Sequence, residues 1–263
     1  MVNRFLKKLY SFLIYLFLYA PILILIAFSF NNSKSRGSWG GFTLKWYGQL
    51  FKDSQIMSAL YYTISIAVVS SAIATFIGTA AAIGIHRMNK KQKNLIMNLT
   101  YIPVLNADIV TGISLMILFI FLKLQLGFIT LLIAHITFNI PYVILSVLPK
   151  LKQLDNNLYE AALDLGATPW YAIRKVILPE IMPGIITGAL FAFTLSIDDF
   201  VISFFTTGSG VSNLSIIIYS MARRGIKPKI NALSTLMFGT VLALLLIINN
   251  RTNKNQQGKG DVS

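Results

Sequence analysis

What most limits the fold of this chain is a series of apolar runs, each about as long as a helix needs to cross the hydrocarbon core of a bilayer. They lie at Leu9–Phe30, Leu60–Ile85, Leu95–Leu122, Phe128–Leu148, Ile185–Phe205 and Asn231–Ile248. With 55% hydrophobic and 12% charged residues, the chain is too apolar for a soluble domain of 263 residues. The expectation is therefore an all-α membrane protein of about six transmembrane helices. Residues 1–250 would form one membrane domain and 251–263 a polar cytoplasmic tail.

The first run follows the basic start Asn3-Arg4-Phe5-Leu6-Lys7-Lys8. It is longer than the core of a signal peptide and lacks a small-residue cleavage site, so it reads as an uncleaved span. In the second run Ser70, Ala74, Gly78 and Ala82 recur every four residues, a stripe against which another helix can pack closely. Arg87, Lys90, Lys91 and Lys93 follow it and mark the cytoplasmic side. The third run is interrupted near Pro103 and carries Asn106 and Asp108; the fourth carries His135, Asn139 and Pro141, with a kink expected at the proline. His135 reads as a helix-to-helix hydrogen-bonding residue. Between the first two runs, Trp46, Tyr47, Leu50 and Phe51 recur at the spacing of a short surface helix. Ser215 to Arg224 reads as a short amphipathic or re-entrant helix.

The formal charge of +14 raises the question of nucleic acid. Its Lys and Arg are split into short clusters between apolar runs, a pattern suited to anionic lipid headgroups and to setting topology, so no nucleic-acid partner is expected. With both ends cytoplasmic, more of the basic residues fall inside than outside, although Arg223, Arg224, Lys227 and Lys229 fall outside. No cysteine is present, which excludes disulfides, zinc–thiolate sites and a cysteine nucleophile. The chain has no G-x-x-x-x-G-K-[ST] loop to cradle nucleotide phosphates, no H-E-x-x-H pair and no G-x-S-x-G elbow. It is not expected to be an enzyme or to hold a metal or cofactor; any ATP and Mg would belong to a partner.

The extended polar interruption in the second half is NLYEAALDLGATPWYAIRKVILPEIMP, Asn157 to Pro183. It reads as two short helices. Asn157 would cap the first, with Glu160 closing a capping box. Leu158, Ala161, Ala162 and Leu165 would line one face, and Gly166 would end the helix in the left-handed region. Thr168 would cap the second, Pro169 would take its first position, and Pro179 would stop it. The pair Ala161 and Ala162 leaves the backbone open to close approach by another surface.

Glu160-Ala161-Ala162, Gly166, Val176 and Leu178-Pro179 resemble the EAA loop of permease subunits of binding-protein-dependent ABC importers, with valine at 176 where isoleucine is usual. The resemblance implies the type I permease fold and a cytoplasmic coupling loop at 150–182 that docks on an ATPase subunit through Glu160, Ala161, Ala162, Asp164, Gly166, Val176, Leu178 and Pro179. The segment Ser196 to Gly208, with Asp108-Ile109-Val110 and Asn231-Ala232-Leu233, is similar to the second permease subunit of spermidine and putrescine importers. That likeness implies a multi-pass protein of the bacterial inner membrane in a heterodimer with a homologous permease, two copies of an ATPase, and an extracytoplasmic polyamine-binding protein.

An ionised carboxylate in the bilayer costs a few kcal/mol or more unless it faces a polar cavity or a partner. Asp108, Asp198 and Asp199 are thus candidates for a cation pathway, with Asn106 beside the first and Phe200 able to flank the methylenes of an organic cation. The same carboxylates suit two other tasks, capping broken helices or pairing with basic residues. Other functions considered are import of a different small solute, an intramembrane aspartyl protease using Asp108 with Asp198 or Asp199, and a secondary transporter or channel working alone.

Overall fold

The computed structural model describes residues 4–33, 38–155, 157–224 and 228–243. Among these the regular structure is helical: α1 Arg4–Ser29, α2 Lys45–Phe51, α3 Ser54–Arg87, α4 Lys90–Leu105, α5 Asp108–Phe121, α6 Phe128–Gln153, α7 Asn157–Asp164, α8 Pro169–Ala172, α9 Leu178–Asp198, α10 Val201–Thr206 and α11 Leu214–Arg223. A further helix, α12, covers 228–243. The expected tail from 251, the end of the sixth run beyond 243, and the basic residues Lys34, Arg36 and Lys227 lie outside the described residues.

Four stretches, Leu6–Ser29, Ser54–Arg87, Phe128–Gln153 and Pro169–Asp198, are long and apolar enough to cross a membrane, and α4 with α5 makes a fifth if that bent pair is one span. The described chain divides into two compact units, Met1–Ser58 with Ile217–Ser263, and Ala59–Ile216.

In the first unit, α1 is a bare apolar rod, with Phe12, Tyr15, Phe17 and Leu18 all exposed. Such a surface is stable only in lipid or against another protein. Its end is closed by Asn31, whose side chain donates to the Ser38 carbonyl at 2.9 Å and accepts from the Ser33 and Gly40 amides at 3.1 and 2.7 Å. The Trp46 indole donates to the Asn31 carbonyl at 2.8 Å, and Ser29 and Tyr47 share a 2.7 Å hydrogen bond. Thus α2 is fastened by polar contacts as well as by the buried side chains of Trp46 and Leu50. Asp53 caps α3 through the Gln55 and Ile56 amides and pairs with Lys229 of α12.

In the second unit, α6 is the central helix, with Leu131, Ala134, His135, Asn139, Val143, Val147 and Leu151 buried along it. Lipid offers no hydrophobic drive between helices, so association depends on close packing. The small stripe on α3 supplies it: Ser70, Ala74 and Ala82 are fully buried, and a Cβ placed on Gly78 would lie 2.7 Å from Val143. A second stripe, not read from the sequence, runs along α9 through Gly184, Gly188, Ala192 and Ser196. A Cβ on Gly188 would lie 3.1 Å from the Val143 Cα. Val143 therefore sits between two helices that can approach only because both are small there.

Four local expectations are corrected. The third run breaks after Pro103, at Asn106 and Ala107, whose extended backbones (ψ 149° and 137°) separate α4 from α5 by a 105° bend. Pro103 itself lies inside α4. Second, the fifth run ends earlier: α9 stops at Asp198, and Asp199 (ψ 122°) breaks the helix before α10. Third, Pro179 does not stop the helix. The Leu178 amide bonds to the Ile173 carbonyl, five residues back, and this wide turn at 173–177 lets a residue with no N–H enter α9 at its first turn. The fourth is Asn157, which begins α7 instead of capping it; its amide is accepted by Asp155 at 3.0 Å.

Two measurements follow from these contacts. Gly78→Leu forces a side chain into Val143 and should destabilise the fold by about 2–3 kcal/mol, read as a lower melting temperature in detergent, whereas Gly84→Leu, with open space at its Cβ, should not. The Lys229 ammonium beside Asp53 holds its carboxyl below the usual value of 3.8. The ion pair therefore contributes at pH above that value and is lost as pH falls through the lowered pKa. With both side chains about a quarter exposed, the contribution is at most ~1 kcal/mol. Asp53→Asn should lower the melting temperature slightly at pH 7 and progressively less below pH ~4.

Candidate functional site

Two sets of residues converge on function: a short helix at one end of the second unit, and the two helix breaks.

The short helix is α7. Gly166 adopts φ +85°, its amide bonds to the Leu163 carbonyl at 2.8 Å, and the Ala167 amide bonds to the Ala162 carbonyl at 3.1 Å. That pair of bonds is a Schellman turn, so the glycine ends the helix as read from the sequence. Thr168 then caps α8, accepting from the Tyr171 amide at 3.4 Å, with Pro169 at the first turn. The inward side of α7 is carried by Tyr159, Ala162 and Leu163; of the face read from the sequence, Leu158, Ala161 and Leu165 are exposed and Ala162 is half-buried. Glu160, Ala161 and Asp164 are exposed, as are Leu158 and Leu165, the latter 89% so. Trp170 and Tyr171 on α8 are exposed as well. A hollow beside them is lined by Ala162, Leu165, Gly166, Ala167, Thr168, Tyr171 and Val176. Leu178 is partly buried and Pro179 exposed, so these two serve the helix junction while the preceding residues form the open surface.

At the first break, Asn106 and Asp108 are exposed, and Asp108 opens α5. One turn on, Gly112 lies against α10: a Cβ there would be 3.1 Å from Phe205 and 3.3 Å from the Ile202 Cα. Asp108 also lies within electrostatic reach of Tyr142 on α6.

At the second break the adjacent carboxylates separate in role. Asp198 ends α9 and is exposed. The Asp199 side chain turns inward and accepts from the Ile202 and Ser203 amides at 3.2 and 2.7 Å, capping α10. Around it lie His135, whose Nε2 is 3.0 Å from Ser203 Oγ and 3.6 Å from Asp199 Oδ2, and Asn213, which donates to Ser203 Oγ at 2.7 Å and to the Asp199 carbonyl at 3.1 Å. His135 is thus the interhelical hydrogen-bonding residue expected. Phe200 packs on Phe204 beside the break, ring centroids 5.5 Å apart and the planes tilted by 40°. A second buried link joins the spans: Asn139 donates to Ser196 at 2.7 Å, and Ser196 meets Ser70 at 3.1 Å.

The sequence reading includes Asn139, and Ser196 and Ser203 within the segment Ser196 to Gly208, without a role for any of them, and misses Asn213. Asn213 was findable as the N-cap of α11, where it accepts from the Ile216 amide at 3.0 Å. Ser196 was findable from its place in the four-residue stripe of α9.

Residues 74–251 match the family described as binding-protein-dependent transport system inner membrane component. The chain is 40% identical over 261 residues to the spermidine/putrescine transport system permease protein PotC of Escherichia coli K12, covering 99% of this chain and 98% of that one. It is 40% identical over 232 residues to the putrescine transport system permease protein PotI of the same organism, covering 86% and 83%. Among solved structures, a bacterial ABC transporter that imports the acidic polysaccharide alginate aligns with TM-score 0.72 at 17% identity, covering 95% of each chain. The MetNI methionine ABC transporter, in an inward-facing conformation, aligns with TM-score 0.61 at 18% identity, covering 75% of this chain and 93% of that one. At such identities the structural likeness establishes the fold, that of ABC importer permeases. The chain belongs to the family of binding-protein-dependent transport system inner membrane components, and is a multi-pass permease subunit of an ABC importer, a transport protein and not a catalytic enzyme.

Proposed function

We propose that this chain is the second permease subunit of an ATP-driven importer of polyamines, spermidine and putrescine, and lines the translocation pathway together with a homologous permease. The observation that carries the substrate class is the similarity to a spermidine/putrescine permease over 99% of the chain, both helix breaks included. The chemistry agrees with it. Asp108 and Asp198 are exposed carboxylates at breaks in apolar helices, where a linear cation with two or more ammonium groups finds replaceable charge partners. Replaceable is the requirement, because a tight site would trap the solute. Asn106 adds an amide at the first break and Phe200 an aromatic surface at the second. Asp199 is committed to capping α10, so its part in this reading is to hold the break beside Asp198.

The exposed face of α7, Glu160 to Gly166, is in this reading the surface that docks on the ATPase, with Val176, Leu178 and Pro179 fixing its attachment to α9. Apolar residues as exposed as Leu165 and Trp170 at the polar end of a membrane protein call for a covering partner. Two ATPase copies hold the ATP and Mg, and an extracytoplasmic protein delivers the polyamine. Closure of the ATPases would move α7 as a rigid body and turn the pathway from one side of the membrane to the other. Both termini are cytoplasmic, residues 1–250 form the permease domain, and 251–263 are a cytoplasmic tail.

The test is radiolabelled spermidine and putrescine uptake in cells lacking their own importer and supplied with the complete transporter. Asp108→Asn and Asp198→Asn should each reduce uptake by about tenfold, the effect of losing one charge-assisted contact, with assembly intact. Glu160→Arg should release the ATPase from purified membranes. Absence of wild-type uptake for both polyamines, with another small solute imported, would overturn the substrate assignment.

A further inference from the structure

α7 is joined to three spans. The chain enters it from α6, which ends at Gln153, and leaves it through α8 and the wide turn at 173–177 into α9. The third connection is made by a side chain: Arg87, the last residue of α3, places its guanidinium carbon 3.7 Å from the centroid of the Tyr159 ring. That is well inside the range, about 6 Å, over which a cation is held by an aromatic face. Tyr159 lies on the inward side of α7 and packs against the buried cluster of Ile85, Leu151 and Ile177.

A cavity of about 390 Å³ opens among His86, Arg87, Leu154, Asp155, Tyr159 and Glu160. Helix α7 therefore has room to shift against the ends of α3 and α6, and a shift is passed on only where contact exists. From Arg87 back to Ser70, α3 is one unbroken helix of about 25 Å, at about 1.5 Å per residue. Ser70 is hydrogen-bonded to Ser196 at 3.1 Å, two residues before Asp198.

Resting on the reading of α7 as the ATPase-docking helix, we infer that Arg87 and Tyr159 are positioning residues for coupling: their cation–π contact passes displacement of α7 into α3. The rigid α3 carries it to the α9–α10 break that holds Asp198 and Asp199. The break is then moved from two sides at once, by α9 along the chain and by α3 through Ser70 and Ser196. A cation–π contact suits this task, since the attraction keeps the guanidinium on the ring face so that the two groups move together.

The experiment uses the whole transporter in proteoliposomes with spermidine-loaded binding protein, and measures ATP hydrolysed and radiolabelled spermidine imported in the same sample. The readout is their ratio, with the ATPase bound per permease measured for every variant. Tyr159→Leu and Arg87→Gln should each raise ATP consumed per spermidine by about fivefold, as loss of one such contact predicts, with the ATPase still bound. Tyr159→Phe, Tyr159→Trp and Arg87→Lys, which keep a ring and a cation, should stay near wild type. The double variant Arg87→Gln with Tyr159→Leu should be no worse than either single one. An unchanged ratio in Tyr159→Leu and Arg87→Gln, or effects that multiply in the double variant, overturns the inference. Glu160→Arg separates the two levels: if it releases the ATPase while Tyr159→Leu keeps the wild-type ratio, only the coupling contact fails. If Glu160→Arg leaves the ATPase bound, the docking role of α7 falls and the inference with it.

Discussion

The close approach of α3 and α9 to α6 around Val143 is the contact on which the rest of the second unit depends. In a lipid environment apolar surface gains nothing by leaving one hydrocarbon for another, so van der Waals contact at short distance must hold the spans together. Gly78 and Gly188 make that distance possible, because any side chain at either position would meet Val143. Serines at the ends of the two stripes, Ser70 and Ser196, then add a buried hydrogen bond at 3.1 Å, and Asn139 of α6 joins it. Small residues bring the helices together, and the polar residues they admit fix the register.

That register positions both helix breaks. Once α9 is fixed along α6, its last residue, Asp198, and the cap formed by Asp199 are fixed too. His135 of α6, Ser203 of α10 and Asn213 before α11 surround the Asp199 carboxyl. A buried carboxylate is costly, and the amides and hydroxyl offset that cost by hydrogen bonding to it. Adjacent aspartates thus do different work because the chain turns between them: one holds the break, the other is left exposed beside it. At the opposite end of the unit, the Schellman turn at Gly166 and the cap at Thr168 hold α7 and α8 at an angle that exposes Leu158, Leu165 and Trp170.

Much of this was legible in the amino-acid order. Hydropathy alone marked the long spans, the stripe at Ser70, Ala74, Gly78 and Ala82 marked the packing face of α3, and Gly166 and Thr168 marked the ends of the short helices. Where the reading failed, the deciding physics was not local. Pro179 reads as a stop because proline lacks an N–H, but a wider turn just before it removes the conflict, and nothing in the local sequence marks that turn. Pro103 reads as a break, yet the chain bends at Asn106 and Ala107, where backbone conformation and not a proline ring sets the corner. The sequence marks one apolar face of α7 without saying which way it points; Leu158, Ala161 and Leu165 point outward, which is favourable only with a partner to cover them. Arg87 was read as a topology marker; nothing in its neighbours along the chain announces Tyr159, which lies far away in sequence.

The central claim is that the outward face of α7 is covered by an ATPase when the transporter is assembled. The chain contains no cysteine, so a single Leu165→Cys variant gives one defined thiol for labelling. Maleimide should modify it readily in the isolated permease and poorly in the assembled transporter, with a bifunctional reagent linking it to the ATPase. Full and equal labelling in an assembled transporter that still imports spermidine would contradict the account.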